Sequence, residues 1–146
     1  MTIVALDETM MRLWVGLRAQ LAPQTPLSQH WLDGCALLDA APFMGFLALG
    51  PQGEGLGFIE LALQPDSLHR HAPVSLRLGC LFVRPERRQQ GVATELVAVA
   101  CAWGRQHGCA EMVSAVPLAD QGQQQMHRAL GFTQGERWVD YRLSLD

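Results

Sequence analysis

Three arginines and a glycine crowd the segment Arg84-Pro85-Glu86-Arg87-Arg88-Gln89-Gln90-Gly91-Val92-Ala93-Thr94. An apolar run, Leu81-Phe82-Val83, precedes it, and a long amphipathic stretch follows. Strand, polar loop and helix in this order leave the first backbone N–H groups of the helix without intrahelical partners, and the helix dipole adds partial positive charge there. Such a terminus binds phosphate or pyrophosphate. Gly91 lets a ligand approach the backbone closely, and Arg84, Arg87 and Arg88 can add charge-assisted contacts. Arg88, Gln89, Gln90, Gly91, Val92, Ala93 and Thr94 are therefore the candidate anion-binding residues.

Other polar patterns are less productive. His69 and His71 form a His-x-His pair with no obvious third ligand, so no metal site is expected. The glycines of Gly50-Pro51-Gln52-Gly53-Glu54-Gly55 imitate a nucleotide loop, but strand-like runs flank them on both sides and no helix follows; a hairpin turn is the reading.

The elements that must carry these residues follow from periodicity and punctuation. Thr2–Leu6 reads as an edge strand. Asp7 or Thr9 caps a helix to about Leu21, with Met11, Trp14, Val15 and Arg18 at helical spacing. Pro23 and Pro26 break it, and Leu27–Leu38 is a second helix with Ser28 as a possible cap. Phe43–Leu49, Leu56–Leu63 and Val74–Val83 read as strands, with a polar loop at Gln64–Pro73. Val92–His107 is the central helix, apolar along Val92, Leu96, Val99 and Trp103 and stopped by Gly108. Ala110–Val116 is a strand ended by Pro117. Asp120 caps a helix through Leu130, with Gly131 as its stop, and Phe132 to Leu145 returns as one or two strands. The order is a mixed α/β pattern with an antiparallel middle and a βαβ step around the arginine loop.

Bulk composition narrows the function. The chain has 146 residues, 49% of them apolar and 17% charged, which suits one folded domain with a real core. A net charge of −3 argues against a nucleic-acid binder. Cys35, Cys80, Cys101 and Cys109 make no C-x-x-C pair and read as free thiols of a reducing compartment. No apolar stretch reaches membrane-spanning length, and the first residues lack the pattern of a signal peptide. The expectation is a cytoplasmic protein without membrane partners.

Arg88, Gly91 and Ala93 match the R/Q-x-x-G-x-G/A pyrophosphate motif, and with the helix ending His127-Arg128-Ala129-Leu130-Gly131-Phe132 the chain resembles the GNAT N-acetyltransferase superfamily over essentially its whole length. The resemblance implies the GNAT fold in a single domain over residues 1–146: a mixed, mostly antiparallel sheet flanked by helices. It also implies acetyl-CoA as cosubstrate with no metal. Within that superfamily the chain is most similar to bacterial aminoglycoside 6'-N-acetyltransferases. The strings that carry this are Trp14, Leu17-Arg18, Gly57-Phe58, Glu60, Trp103-Gly104, Gly108-Cys109, Glu111-Met112, His127 and Tyr141-Arg142.

The resemblance implies roles. The thioester carbonyl lies against backbone N–H groups of Leu81, Phe82 and Val83. Asp120 stands where relatives carry an Asn that contacts the pantetheine arm. His127 occupies the position of a common Tyr and is the candidate proton donor to the departing thiolate, since imidazole titrates near neutrality. Glu60 is the candidate base or ammonium anchor, and Asp66 and Trp31 are candidate acceptor contacts. A homodimer is implied. Two departures concern the acceptor: relatives have acids where this chain has Gly79 and Ala115. The acceptor is expected to be an aminoglycoside 6'-amine attacked directly in a ternary complex. Another small amine, a polyamine or a peptide amine is the alternative, as is a non-catalytic acyl-CoA-binding protein.

Overall fold

The computed structural model describes residues 1–40, 42–65 and 74–146. The chain forms two compact units, Met1–Ala115 and Val116–Asp146. The first holds a five-stranded sheet in the order β1-β2-β3-β4-β5: β1 is Thr2–Ala5, β2 Phe43–Leu49, β3 Gly55–Pro65, β4 Val74–Val83 and β5 Met112–Val113. The first four strands pair antiparallel, and β4 pairs with β5 in parallel. The glycine-rich connector between β2 and β3 is the expected hairpin, with Gly53 in the left-handed region (φ 79°) and the Gly50 N–H donating to the Glu54 carbonyl at 2.8 Å.

Helices α1 (Met11–Leu21), α2 (Leu27–Asp39) and α3 (Val92–Gln106) complete this unit. A short 3₁₀ turn, Glu8–Met10, precedes α1, and Asp7 caps that turn by accepting from the Thr9 N–H at 2.8 Å. The Thr9 hydroxyl bond, chiefly, holds the Asp7 carboxyl below its ordinary range. Ser28 lies inside α2; Pro26 stands at its N-cap and makes no side-chain bond.

Strand alternation divides the core between the sheet's faces. Phe58 and Phe82 turn toward α1, where they cluster with Leu6, Met11, Trp14, Val15, Leu17 and Leu47. Ile59 and Leu61 take the opposite phase of β3. Helix α3, which contacts β2, β3 and β4, buries Val92, Leu96, Ala100 and Gly104, a stripe repeating every four residues. Because β3 lies between β2 and β4 and has helical neighbours, it is buried from Gly55 through Leu61.

Two expected strands come out differently. Ala110–Val116 shrinks to Met112–Val113, since β4 offers a parallel partner only at Leu76 and Arg77 before its ladder with β3 shifts register. Phe132–Leu145 forms no strand: the alternation of Val139, Tyr141, Leu143 and Leu145 is present, but these side chains are 73–94% exposed. A strand with no neighbour leaves its backbone to water and is not held straight. The second unit's regular element is α4, Gln121–Ala129.

Candidate active site

Strand β4 is paired along its whole length on one side and only partly on the other. Cys80, Leu81, Phe82 and Val83 pair with Glu60, Ile59, Phe58 and Gly57 of β3. Between Glu60 and Leu61 the register shifts, so that Cys80 faces Glu60, Leu78 faces Leu61, and Gly79 is left as an extra residue. This is a β-bulge, which bends and twists the strand locally. On the other edge the ladder with β5 ends at Arg77–Val113. Among the described residues, the β4 backbone beyond that point has no strand partner, which leaves polar backbone groups of this edge open to a ligand.

The arginine loop continues from that open edge. Pro85–Arg87 forms a 3₁₀ turn, and α3 starts at Val92 behind Gly91. Gly91 stands in the left-handed region (φ 86°) and caps α3 without a side-chain hydrogen bond, so the first-turn N–H groups of Val92, Ala93 and Thr94 are not occupied by a capping side chain. Apart from the chain on either side of it, nothing lies within 4 Å of where a Cβ on Gly91 would sit. Gln89 is also left-handed, at φ 62°. This combination fits a pyrophosphate: uncapped donors, a helix dipole and open space at the turn.

The arginines divide their work. Arg88 Nε–H donates to the Val83 carbonyl at 3.0 Å, and its guanidinium lies 5.8 Å from the Phe82 ring centre. Arg84 Nε–H donates to the Gly55 carbonyl at 2.5 Å, and its backbone N–H to Leu56 at 2.9 Å. Both therefore tie the loop to the strands that precede it, in addition to bringing positive charge.

Glu60 is 6% exposed. Its Oε2 accepts the Trp14 indole N–H at 2.9 Å and forms an ion pair with Arg18. Arg18 also lies over the Trp14 ring, 5.9 Å from its centre. Across the sheet from Glu60 is Cys80, whose thiol is pushed up to about 12 by burial and by the Glu60 charge. Sequence reasoning singled out Glu60 but not its partners. The available signal was Trp14 and Arg18, four residues apart and so on one helix face.

In the second unit, Asp120 caps α4, accepting from the Gln123 N–H at 3.0 Å. His127 sits in the last turn. Its Nδ1 lies 2.7 Å from the Gln123 carbonyl, which can only accept, so Nδ1 carries a proton. The ring meets Phe132 edge-on at 5.0 Å, and Gly131, left-handed at φ 95°, closes the helix end. Trp31 is 40% exposed on α2. Asp66, like His69 and His71, lies outside the described residues. Gly79 and Ala115 are both exposed.

A bulged strand with an open edge running into an uncapped, glycine-started helix is an arrangement suited to an extended anionic cosubstrate. The acetyltransferase (GNAT) family pattern matches residues 6–132, and the chain belongs to that family. It is 36% identical to aminoglycoside N(6')-acetyltransferase type 1 of Salmonella enteritidis, over 97% of this chain and 98% of that one. It is 32% identical to the protein of the same name from Serratia marcescens, over 98% and 99%. Among solved structures it is similar to aminoglycoside N-acetyltransferase AAC(6')-Iy in complex with a bisubstrate analogue, CoA-S-monomethyl-acetylneamine. There the TM-score is 0.86 and the identity 34%, covering 98% of this chain and 97% of the other. The AAC(6')-Ih enzyme of Acinetobacter baumannii gives a TM-score of 0.89 at 27% identity, over 99% of each chain.

Proposed function

We propose that the chain is a single-domain, acetyl-CoA-dependent N-acetyltransferase whose acceptor is the 6'-amine of an aminoglycoside. The observation that carries the donor half is the uncapped start of α3 behind left-handed Gly91, directly downstream of the open β4 edge. Relatives of the same length are aminoglycoside N(6')-acetyltransferases, and one is solved with a CoA-linked acetylated aminoglycoside. Acetyl-CoA supplies an activated thioester. Residues 88–94 hold its pyrophosphate, and Asp120 contacts its pantetheine arm. Along Leu81–Val83, the backbone N–H groups that point away from β3, those of Leu81 and Val83, face the thioester oxygen, stabilising charge that develops there as a neutral amine attacks. As the C–S bond breaks, His127 in its doubly protonated form, held by Gln123 through Nδ1–H, gives its Nε2 proton to the thiolate, and the new amide nitrogen releases its surplus proton to solvent. Trp31 contacts the acceptor. Most of the acceleration comes from holding the two substrates together.

One observation favours a second reading. Gly79 and Ala115 are exposed and uncharged where acidic side chains would bind ammonium groups. An acceptor with fewer charges, such as a small amine or peptide amine, needs less of that contact. Thiol release from acetyl-CoA with kanamycin and tobramycin, beside polyamines and peptide amines, decides between them. CoA binding with no acceptor in the panel would leave an acyl-CoA-binding protein.

We place the enzyme in the bacterial cytoplasm as a homodimer. The dimer is supported by the exposed alternation Val139-Tyr141-Leu143-Leu145, an apolar strand face in search of a sheet. Deleting residues 136–146 should convert the dimer to a monomer in sedimentation; an unchanged mass would remove the arm from the interface.

A further inference from the structure

We propose that Glu60 is a positioning residue: with Trp14 and Arg18 it clamps the Glu60–Cys80 pair to α1 and so sets the geometry of the β4 backbone that receives the thioester. The proposal rests on the acetyl-CoA reading of Leu81–Val83, and it replaces a base or ammonium anchor at Glu60 with a structural device acting on the reacting centre.

The argument starts from the carboxylate's surroundings. A charged group that is 6% exposed is costly unless it is paired and hydrogen-bonded. Here both conditions are met by one helix: the Trp14 indole N–H at 2.9 Å and the Arg18 guanidinium. Trp14 is fully buried, and Arg18 side-chain exposure is 19%. An oxygen already holding two donors, one of them a cation, has little room left for a further ammonium.

Its place in the sheet gives the clamp a purpose. Glu60–Cys80 is the last pair in register before the bulge at Gly79. From that pair onward, residues 80–83 lie beside 57–60, on the stretch where β4 has lost β5. The far end of the same stretch is fixed by Arg84, through its backbone bond to Leu56 and its side-chain bond to Gly55. Between the two fixed ends, Gly57 allows the strands to approach so closely that a Cβ there would lie 2.5 Å from the Phe82 carbonyl oxygen. The segment is thus held at Glu60 from one side and at Arg84 from the other. Preorganised backbone donors act only if they do not have to move during the reaction.

The test measures the thioester itself, in the infrared stretch of an isotope-labelled acetyl-CoA carbonyl bound to the full chain, together with kcat, CoA affinity and Tm. In the wild type, binding should shift the stretch to lower frequency. Glu60→Gln and Arg18→Met should each move it back toward the free value and lower kcat by about tenfold to a hundredfold, the range a misplacement near 1 Å produces. CoA affinity should be unchanged. Because the pair acts as a unit, the double variant should be no worse than either single one. Trp14→Phe keeps most of the ring and removes one donor; it should show a smaller shift in the same direction, and serves if Glu60→Gln does not fold. The proposal is overturned if Glu60→Gln removes the acidic limb of the pH profile while Arg18→Met leaves turnover intact, since Glu60 is then the base. It also falls if the variants lose Tm but keep the carbonyl shift and kcat. An unshifted carbonyl in the wild type would overturn the reading of Leu81–Val83 as well.

Discussion

Gly91 separates backbone strain from ligand contact. Its φ of 86° costs an L-residue about 1–2 kcal/mol. At about 2–4 °C per kcal/mol for a chain near this size, Gly91→Ala should lower Tm by several degrees. Gly91→Asn should lower it less, because Asn tolerates the left-handed region. Apart from the chain on either side of it, nothing lies within 4 Å of the new Cβ, so neither change clashes inside the protein. Any loss of CoA affinity beyond the change in stability therefore measures the ligand's own approach to that spot. Gly91→Glu adds a negative charge beside the pyrophosphate. At about 4 Å and an effective dielectric near 20, each unit of opposing charge costs about 4 kcal/mol. Even halved by side-chain movement, that raises Kd by more than about tenfold, and at full strength by about a thousandfold. Titration calorimetry with CoA at low and moderate salt reads the loss, which should shrink as salt rises. Gly91→Glu binding CoA as tightly as the wild type would refute the placement of the pyrophosphate.

Three further outcomes follow from the geometry. His127→Ala should keep CoA binding and lose about a hundredfold or more in kcat, the usual worth of a positioned proton donor; unchanged turnover would remove His127 from the reaction. Gly57→Ala should separate β3 from β4 at Phe82, cost about 1–3 kcal/mol in denaturant melts, and reduce kcat more than CoA affinity; a fully active, equally stable variant would contradict the close approach. Cys80, with its thiol moved from 9.0 to about 12, favours the neutral form in the folded state. Its contribution to stability is complete below about pH 9 and is lost as pH rises toward 12. Over that window it amounts to a few kcal/mol, about 1.4 per pH unit. Comparing alkaline melts of the wild type and Cys80→Ala checks the sign, since the variant should show the shallower decline.

How much of this was legible in the sequence depended on range. The strand–turn–helix connection around residues 84–94 was readable because its determinants are local: Pro85 and Gly91 punctuate it, and both neighbouring elements announce themselves by periodicity. The α4 cap at Asp120 and the stop at Gly131 were readable for the same reason. Glu60 could be flagged as an acid in an apolar strand, but its bond to Arg18 joins residues 42 apart, and nothing in either stretch names the other. The bulge at Gly79 was equally hidden, because a shift in register belongs to two strands together. The stretch from Phe132 to Leu145 failed in the opposite way. Its alternation matches that of a strand, but a pattern within one segment does not supply the neighbour a strand needs, and none forms. Arg84 and Arg88 were read as anion contacts alone, whereas their ε N–H groups also fasten the loop to backbone carbonyls.

The open edge of β4 has a consequence for the life of the protein between turnovers. An unpaired strand edge is a place where another chain can add itself. A cosubstrate lying along it closes that route, and any ligand that binds only the folded form also holds that form against unfolding. The cell's supply of acetyl-CoA then does more than feed the reaction. Bound along that edge, it would also shield the strand from a second chain and hold the folded form against unfolding.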